Sequence, residues 1–167
     1  TAEFAINSYT LQYNADENGS ISGNSTQSVN HGSDGAQVQA IPNEGYHFLE
    51  WSDGSTENPR TDTSVTESLT VTAYFAINEY TVMFQTDGTP GASLTGECSQ
   101  CVEYGAPCSP VMANPPNGYY FVRWEKDGIG YSKDNPLAIA GVSEDLSLTA
   151  VFSTLPPSGA EYWNRYE

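Results

Sequence analysis

The chain has 167 residues, 38% of them hydrophobic and 12% aromatic, with 21 acidic against five basic side chains and a formal charge of −16. That balance excludes nucleic-acid recognition, which needs Lys and Arg turned toward phosphate, and adsorption to anionic membrane surfaces. No apolar run approaches the ~18–20 residues of a membrane-spanning helix, so membrane insertion is not expected either.

The first seven residues, TAEFAIN, recur as TAYFAIN at 72–78 and in shortened form as TAVF at 149–152. Residues 1–7 therefore read as the last strand of a preceding repeat, and the chain as a piece of a tandem array. Module 1 is assigned to 8–77 and module 2 to 78–153, with 154–167 a tail or the start of another segment. Ala2 and Phe4 match Ala73 and Phe75, and Ile6 recurs as Ile77. Phe4, Ile6 and Ile77 are the residues expected at module junctions.

Each module opens on an aromatic strand, YTLQY at 9–13 and YTVMF at 80–84. Strict alternation continues in Leu69, Val71, Ala73 and Phe75 and again in Leu146, Leu148, Ala150 and Phe152, giving one buried and one wet face. Shorter strands are expected near Gln27–Asn30, Val38–Ile41 and Tyr46–Trp51, separated by turn formers such as Asn18-Gly19, Asp53-Gly54 and Asp87-Gly88. From Val29 to Trp51 and from Val102 to Trp124 the copies align without a gap, and no segment has a 3.6-residue period. The fold class is all-β: two tandem β-grasp-like or sandwich-like modules in an elongated arrangement. Compact units of this size are roughly 30 Å across, so two in line, joined by a linker without glycine, would form a stiff rod of about 60 Å.

The expected core is aromatic: Tyr9, Tyr46, Phe48, Trp51 and Phe75 in module 1, and Tyr80, Tyr119, Phe121, Trp124 and Phe152 in module 2. Trp51 has the wrong parity to share a strand face with Phe48, so it is expected to cover the end of the sheet after a bulge or turn. Core packing, rather than sugar stacking, is the expected role of GYHFLEW (45–51) and GYYFVRW (118–124).

No catalytic or cofactor-binding residue emerges. His31 aligns with Tyr104 and His47 with Tyr120, so no histidine recurs, and the polar candidates differ between copies. The acidic stretches Asp53–Asp62 and Glu125–Asp134 lack calcium-loop spacing and read as solvated loops. Cys98, Cys101 and Cys108 stand where module 1 has Ser25, Ser28 and Gly35. Zinc would need four ligands, and both histidines belong to module 1, so no metal is expected. A local disulfide is the favoured reading, Cys98–Cys101 ahead of a pairing of either with Cys108. Asn18 and Asn24 head glycosylation sequons in form only.

The series YT-L-Y, the Gly/Ser loop 18–23, Val38-Gln39-Ala40-Ile41-Pro42, Gly45-Tyr46 with Phe48 and Trp51, and Leu69 through Phe75 resembles the divergent internalin-B B-repeat family of bacterial cell-surface proteins. The likeness spans nearly all of 8–152 and occurs twice, while the loop after Trp124 departs from the pattern and 153–167 matches nothing in the repeat. Module 2 is similar to cysteine-bearing members, with two nearby cysteines before the second strand. The resemblance implies a non-enzymatic structural or adhesive segment, a stalk or spacer outside the bacterial cell. Its partners would be neighbouring repeats or like subunits, with any host or glycan ligand unspecified. Two other readings are a carbohydrate-binding module and a filament subunit in which residues 1–7 complete a neighbour by strand addition.

Overall fold

The computed structural model describes residues 5–156. The chain divides between Asn78 and Glu79 into two compact units, each all-β, with no helix among the described residues. Phe4 lies outside the described residues, as do 157–167.

The first unit contains β1 (Ser8–Ala15), β2 (Gly19–Ser22), β3 (Thr26–Asn30), β4 (Gln39–Pro42), β5 (Tyr46–Trp51) and β6 (Leu69–Ile77). Its main sheet has the order β3-β1-β6-β5, with β1 parallel to β6 and the two outer pairings antiparallel. A parallel pair needs a long crossover, and here the whole of β2 to β5 supplies it in place of a helix. The β2–β4 ribbon stands against β1, β5 and β6. Leu11, Tyr13, Val71, Ala73 and Phe75 turn inward, whereas Thr10, Gln12, Thr70 and Tyr74 face solvent. Tyr9, Tyr46 and Phe48 are half-buried around this core.

Trp51 sits at the centre of that core rather than over the sheet's end. Between Phe48 and Glu50 the β5–β6 register shifts by one residue, leaving Leu49 extra and 51% exposed. Such a bulge resets the alternation, so Phe48 and Trp51 arrive on one face despite their odd spacing. The Trp51 ring lies 5.9 Å from Tyr13 and 5.7 Å from Phe48, and Phe48 lies 6.1 Å from Phe75, in tilted or edge-on contacts. Trp51 is 0% exposed. Burying a side chain of this size contributes about 4–6 kcal/mol of hydrophobic driving force.

The second unit repeats the plan with β7 (Glu79–Thr86), β8 (Ser93–Thr95), β9 (Ser99–Glu103), β10 (Met112–Asn114), β11 (Tyr120–Lys126), β12 (Ile129–Ser132) and β13 (Leu146–Ser153). Its sheet order is β12-β11-β13-β7-β9, again with the first and last strands of the repeat parallel at the centre. The bulge recurs between Phe121 and Arg123, and Trp124 is likewise fully buried. Tyr80, Tyr119 and Phe121 are half-buried beside Phe84, Trp124 and Phe152. The β12 strand has no counterpart in the first unit; it is the longer loop after Trp124, folded back on β11.

Ile77 closes β6 opposite Tyr46 and is half-buried. Ile6 is 70% exposed, and residues 5–7 form no strand.

Candidate functional site

The polar side chains that recur between the units hold backbone. Asp16 accepts from the Asn18 amide at 2.8 Å and the Phe75 amide at 3.2 Å, and Asp87 does the same for Thr89 and Phe152 at 2.9 and 3.0 Å. Buried Gln27 donates to the carbonyls of Asn24 and Ala36 and accepts from the Ala36 amide; Gln100 repeats this with Glu97 and Ser109. Asn58 pairs with both the amide and the carbonyl of Ala40, and Asn135 with those of Ala113. Trp51 donates its indole N–H to the carbonyl of Glu57, and Trp124 to that of Asp134, each just ahead of the Asn-Pro pair. These contacts let irregular chain run close to the core without stranding its polar groups. Among the described residues no buried side-chain nitrogen or oxygen lacks a partner.

The gapless alignment ends at the tryptophans because the loops beyond them differ in length. The tripeptides Glu57-Asn58-Pro59 and Asp134-Asn135-Pro136 were the signal that would have extended it. Asp87 reads in the sequence only as part of the Asp87-Gly88 turn, and Asp16 lies just ahead of Asn18-Gly19.

One cluster is ionic in the first unit and apolar in the second. Arg60, only 6% exposed, donates to Asp62 through Nε at 2.9 Å and Nη2 at 2.7 Å, reaches Asp53 at 2.7 Å, and lies 5.5 Å from the centre of the Trp51 ring. Tyr13 donates to Asp62 Oδ2, the oxygen that also accepts from Arg60 Nε, at 2.6 Å. Burial is the largest influence on Asp62 and opposes its charge, but the bonds from Arg60 and Tyr13 together outweigh it and hold the carboxyl below the usual range. The Arg60 hydrogen bond does the same for Asp53. Burial, then the bond to Asp62, pushes the Tyr13 phenol up. Module 2 has Phe84, Leu137 and Ile139 at the matching places, fixed by the Val38–Arg60 and Val111–Leu137 bridges and by the bonds from Gly35 to Asp62 and from Cys108 to Ile139. The Asp53–Asp62 loop is thus organised around a guanidinium rather than left to solvent.

The remaining candidates are packing elements. His31 lies 5.8 Å from Tyr9 as Tyr104 lies 6.5 Å from Tyr80, so the aligned residues share one role. His47 Nδ1 is 2.8 Å from Asn78 Oδ1 on the surface. The Glu125–Asp134 stretch is the β11–β12 hairpin. No group of three or more His, Cys, Asp or Glu among the described residues could hold a metal ion. With Trp51 and Trp124 both inside, neither offers a face to a sugar ring.

Cys98, Cys101 and Cys108 are free thiols. Cys98 is half-buried against the core cluster that contains Cys108, and burial raises the Cys108 thiol pKa. Cys101 faces outward from β9 with its sulfur 3.9 Å from Glu79 Oε2.

A search among curated proteins finds no match. The family profile described as the divergent InlB B-repeat domain matches residues 9–79 and again 80–156. Two successive matches over the greater part of the sequence, on two units with the same strand plan, make the chain a member of the divergent InlB B-repeat family.

Proposed function

We propose that this chain is a non-enzymatic structural or adhesive segment of a bacterial cell-surface protein, serving as stalk or spacer. The observation that carries this reading is how the recurring residues are used. Trp51 and Trp124, the paired bulges, and the Asp, Gln and Asn clamps all serve the interior or the backbone. On the surface the copies differ, in β12, the histidines and the exposed Cys101, while the buried ionic cluster around Arg60 is replaced in module 2 by apolar packing. A ligand site shared by repeats would leave recurring side chains on the surface, whereas a scaffold needs recurrence only inside. The family is typical of bacterial surface proteins, which supports an extracellular location.

Antibodies to the chain should label intact, unpermeabilised cells of the source bacterium. Replacing the segment in its parent protein by an unrelated two-domain spacer of matched length should leave the parent's adhesion or activity in place. Labelling only after lysis would remove the surface assignment. Loss of function with the parent still displayed would show that the segment itself recognises something.

A further inference from the structure

We propose that Cys98 and Cys108 form the disulfide of module 2, bridging the two chain segments that lead out of the β8–β10 ribbon, and that Cys101 remains a free surface thiol. The course of the two segments beyond that ribbon carries the pairing. Thr95 stands opposite Met112. One step on, a Cβ at Gly96 would lie 2.7 Å from the Pro110 carbonyl oxygen, so the two backbones remain in contact. Next, one Gln100 amide nitrogen binds the carbonyls of both Glu97 and Ser109 at 2.9 Å, so those two oxygens are no further apart than twice that distance. The following residues of the two segments are Cys98 and Cys108.

Their side chains share the core side. Cys108 is 6% exposed within the core cluster, and Cys98 packs on that cluster. Cys101 is placed otherwise. Gln100 is its inward-facing neighbour on β9, so strand alternation turns Cys101 out, opposite Thr81. Cys98 immediately precedes β9 and packs on the core side, whereas Cys101 lies on the outer face of β9, so a Cys98–Cys101 bridge would have to cross from one side of the sheet to the other. Module 1 carries Ser25 and Gly35 at the matching places, so the bridge belongs to module 2 alone.

The oxidant is a low-molecular-weight disulfide. The thiolate of Cys98, the more accessible of the two, attacks it, forming a mixed disulfide and releasing one thiol. Cys108 loses its proton and attacks the Cys98 sulfur, the Cys98–Cys108 bond forms, and the second thiol leaves. Two protein thiols are oxidised as one external disulfide is reduced.

The test treats the full chain with oxidised glutathione, alkylates remaining thiols and maps peptides without reduction. The expected result is a mass deficit of about 2 Da before alkylation, a crosslinked Cys98–Cys108 peptide and alkylation at Cys101 alone. The bridge should persist in Cys101→Ser and vanish in Cys98→Ser, a half-exposed position that tolerates the change. Oxidation should raise the module 2 melting transition by on the order of 10 °C in the native chain and not in Cys98→Ser. A Cys98–Cys101 peptide, glutathione adducts with no internal bridge, loss of the bridge in Cys101→Ser, or a lowered transition on oxidation would each overturn the assignment.

Discussion

Arg60→Leu gives module 1 the residue that module 2 carries at this place, but without its companions Phe84 and Ile139. The substitution leaves Asp62, its side chain only 19% exposed, without a counterion. Breaking a buried pair in this way costs about 3–5 kcal/mol, and the partial access of water to Asp62 points to the lower end. Asp53, 37% exposed at its side chain, rehydrates and adds little. For a unit of this size 1 kcal/mol corresponds to roughly 4–8 °C, so about 3 kcal/mol lowers the module 1 transition by about 12–24 °C. The triple variant Tyr13→Phe, Arg60→Leu, Asp62→Ile installs the whole apolar set. It should recover to within about 1 kcal/mol of the native chain or exceed it, because apolar replacements of similar volume avoid the desolvation of the ions. Differential scanning calorimetry of the full chain measures both variants, with the module 2 transition as internal reference. A single variant costing under about 1 kcal/mol, or a triple variant as damaged as the single, would refute this account of the cluster.

Asp62 and Asp53 are held below the usual carboxylate range, so their stabilisation is complete above the unfolded value near pH 4 and is lost as pH falls through the folded values. In an acid titration followed by calorimetry the native module 1 transition should drop below about pH 4, and the triple variant should lack that component; equal acid sensitivity in the two proteins would contradict it. Asn58→Ala deprives the amide and carbonyl of Ala40 of their partners and should cost about 2–3 kcal/mol by urea denaturation, against a few tenths for Asn43→Ala on an exposed turn. A Cβ at Gly35 would lie 2.7 Å from Leu11 Cδ1, so Gly35→Ala should cost about 1–2 kcal/mol. Leu11→Val should relieve it, since module 2 combines Val82 with Cys108 at these places, and simple additivity in the double-mutant cycle would show that the two sites are not coupled.

The alternation in Leu69–Phe75 and Leu146–Phe152 marked the central strands because a half-buried strand needs little beyond period two. The tryptophans were legible as core, but their position was not: a one-residue bulge is specified by the opposing strand, and parity carried through Leu49 puts Trp51 on the wrong side. The small strands β2 and β8 lay in a Gly/Ser loop without hydrophobic alternation, and their pairing depends on partners some twenty residues away. Arg60 gave no local sign of burial, since its neutralisation comes from Asp53, Asp62 and Tyr13, which meet it only once the loop has closed. The cysteine spacing favours the nearest pair, whereas in the fold Cys98 packs on the core cluster that contains Cys108 and Cys101 faces outward from β9.

In each unit the first and last strands lie side by side and parallel, β1 with β6 and β7 with β13. Chain therefore enters a unit at one end of the central ladder and leaves at the other. A pull on Ser8 and Ile77 runs along the strands and loads every backbone hydrogen bond between β1 and β6 together, whereas an antiparallel terminal hairpin would give way one bond at a time. Resistance to tension thus follows from the order in which the strands are wound, whatever residues decorate the outside.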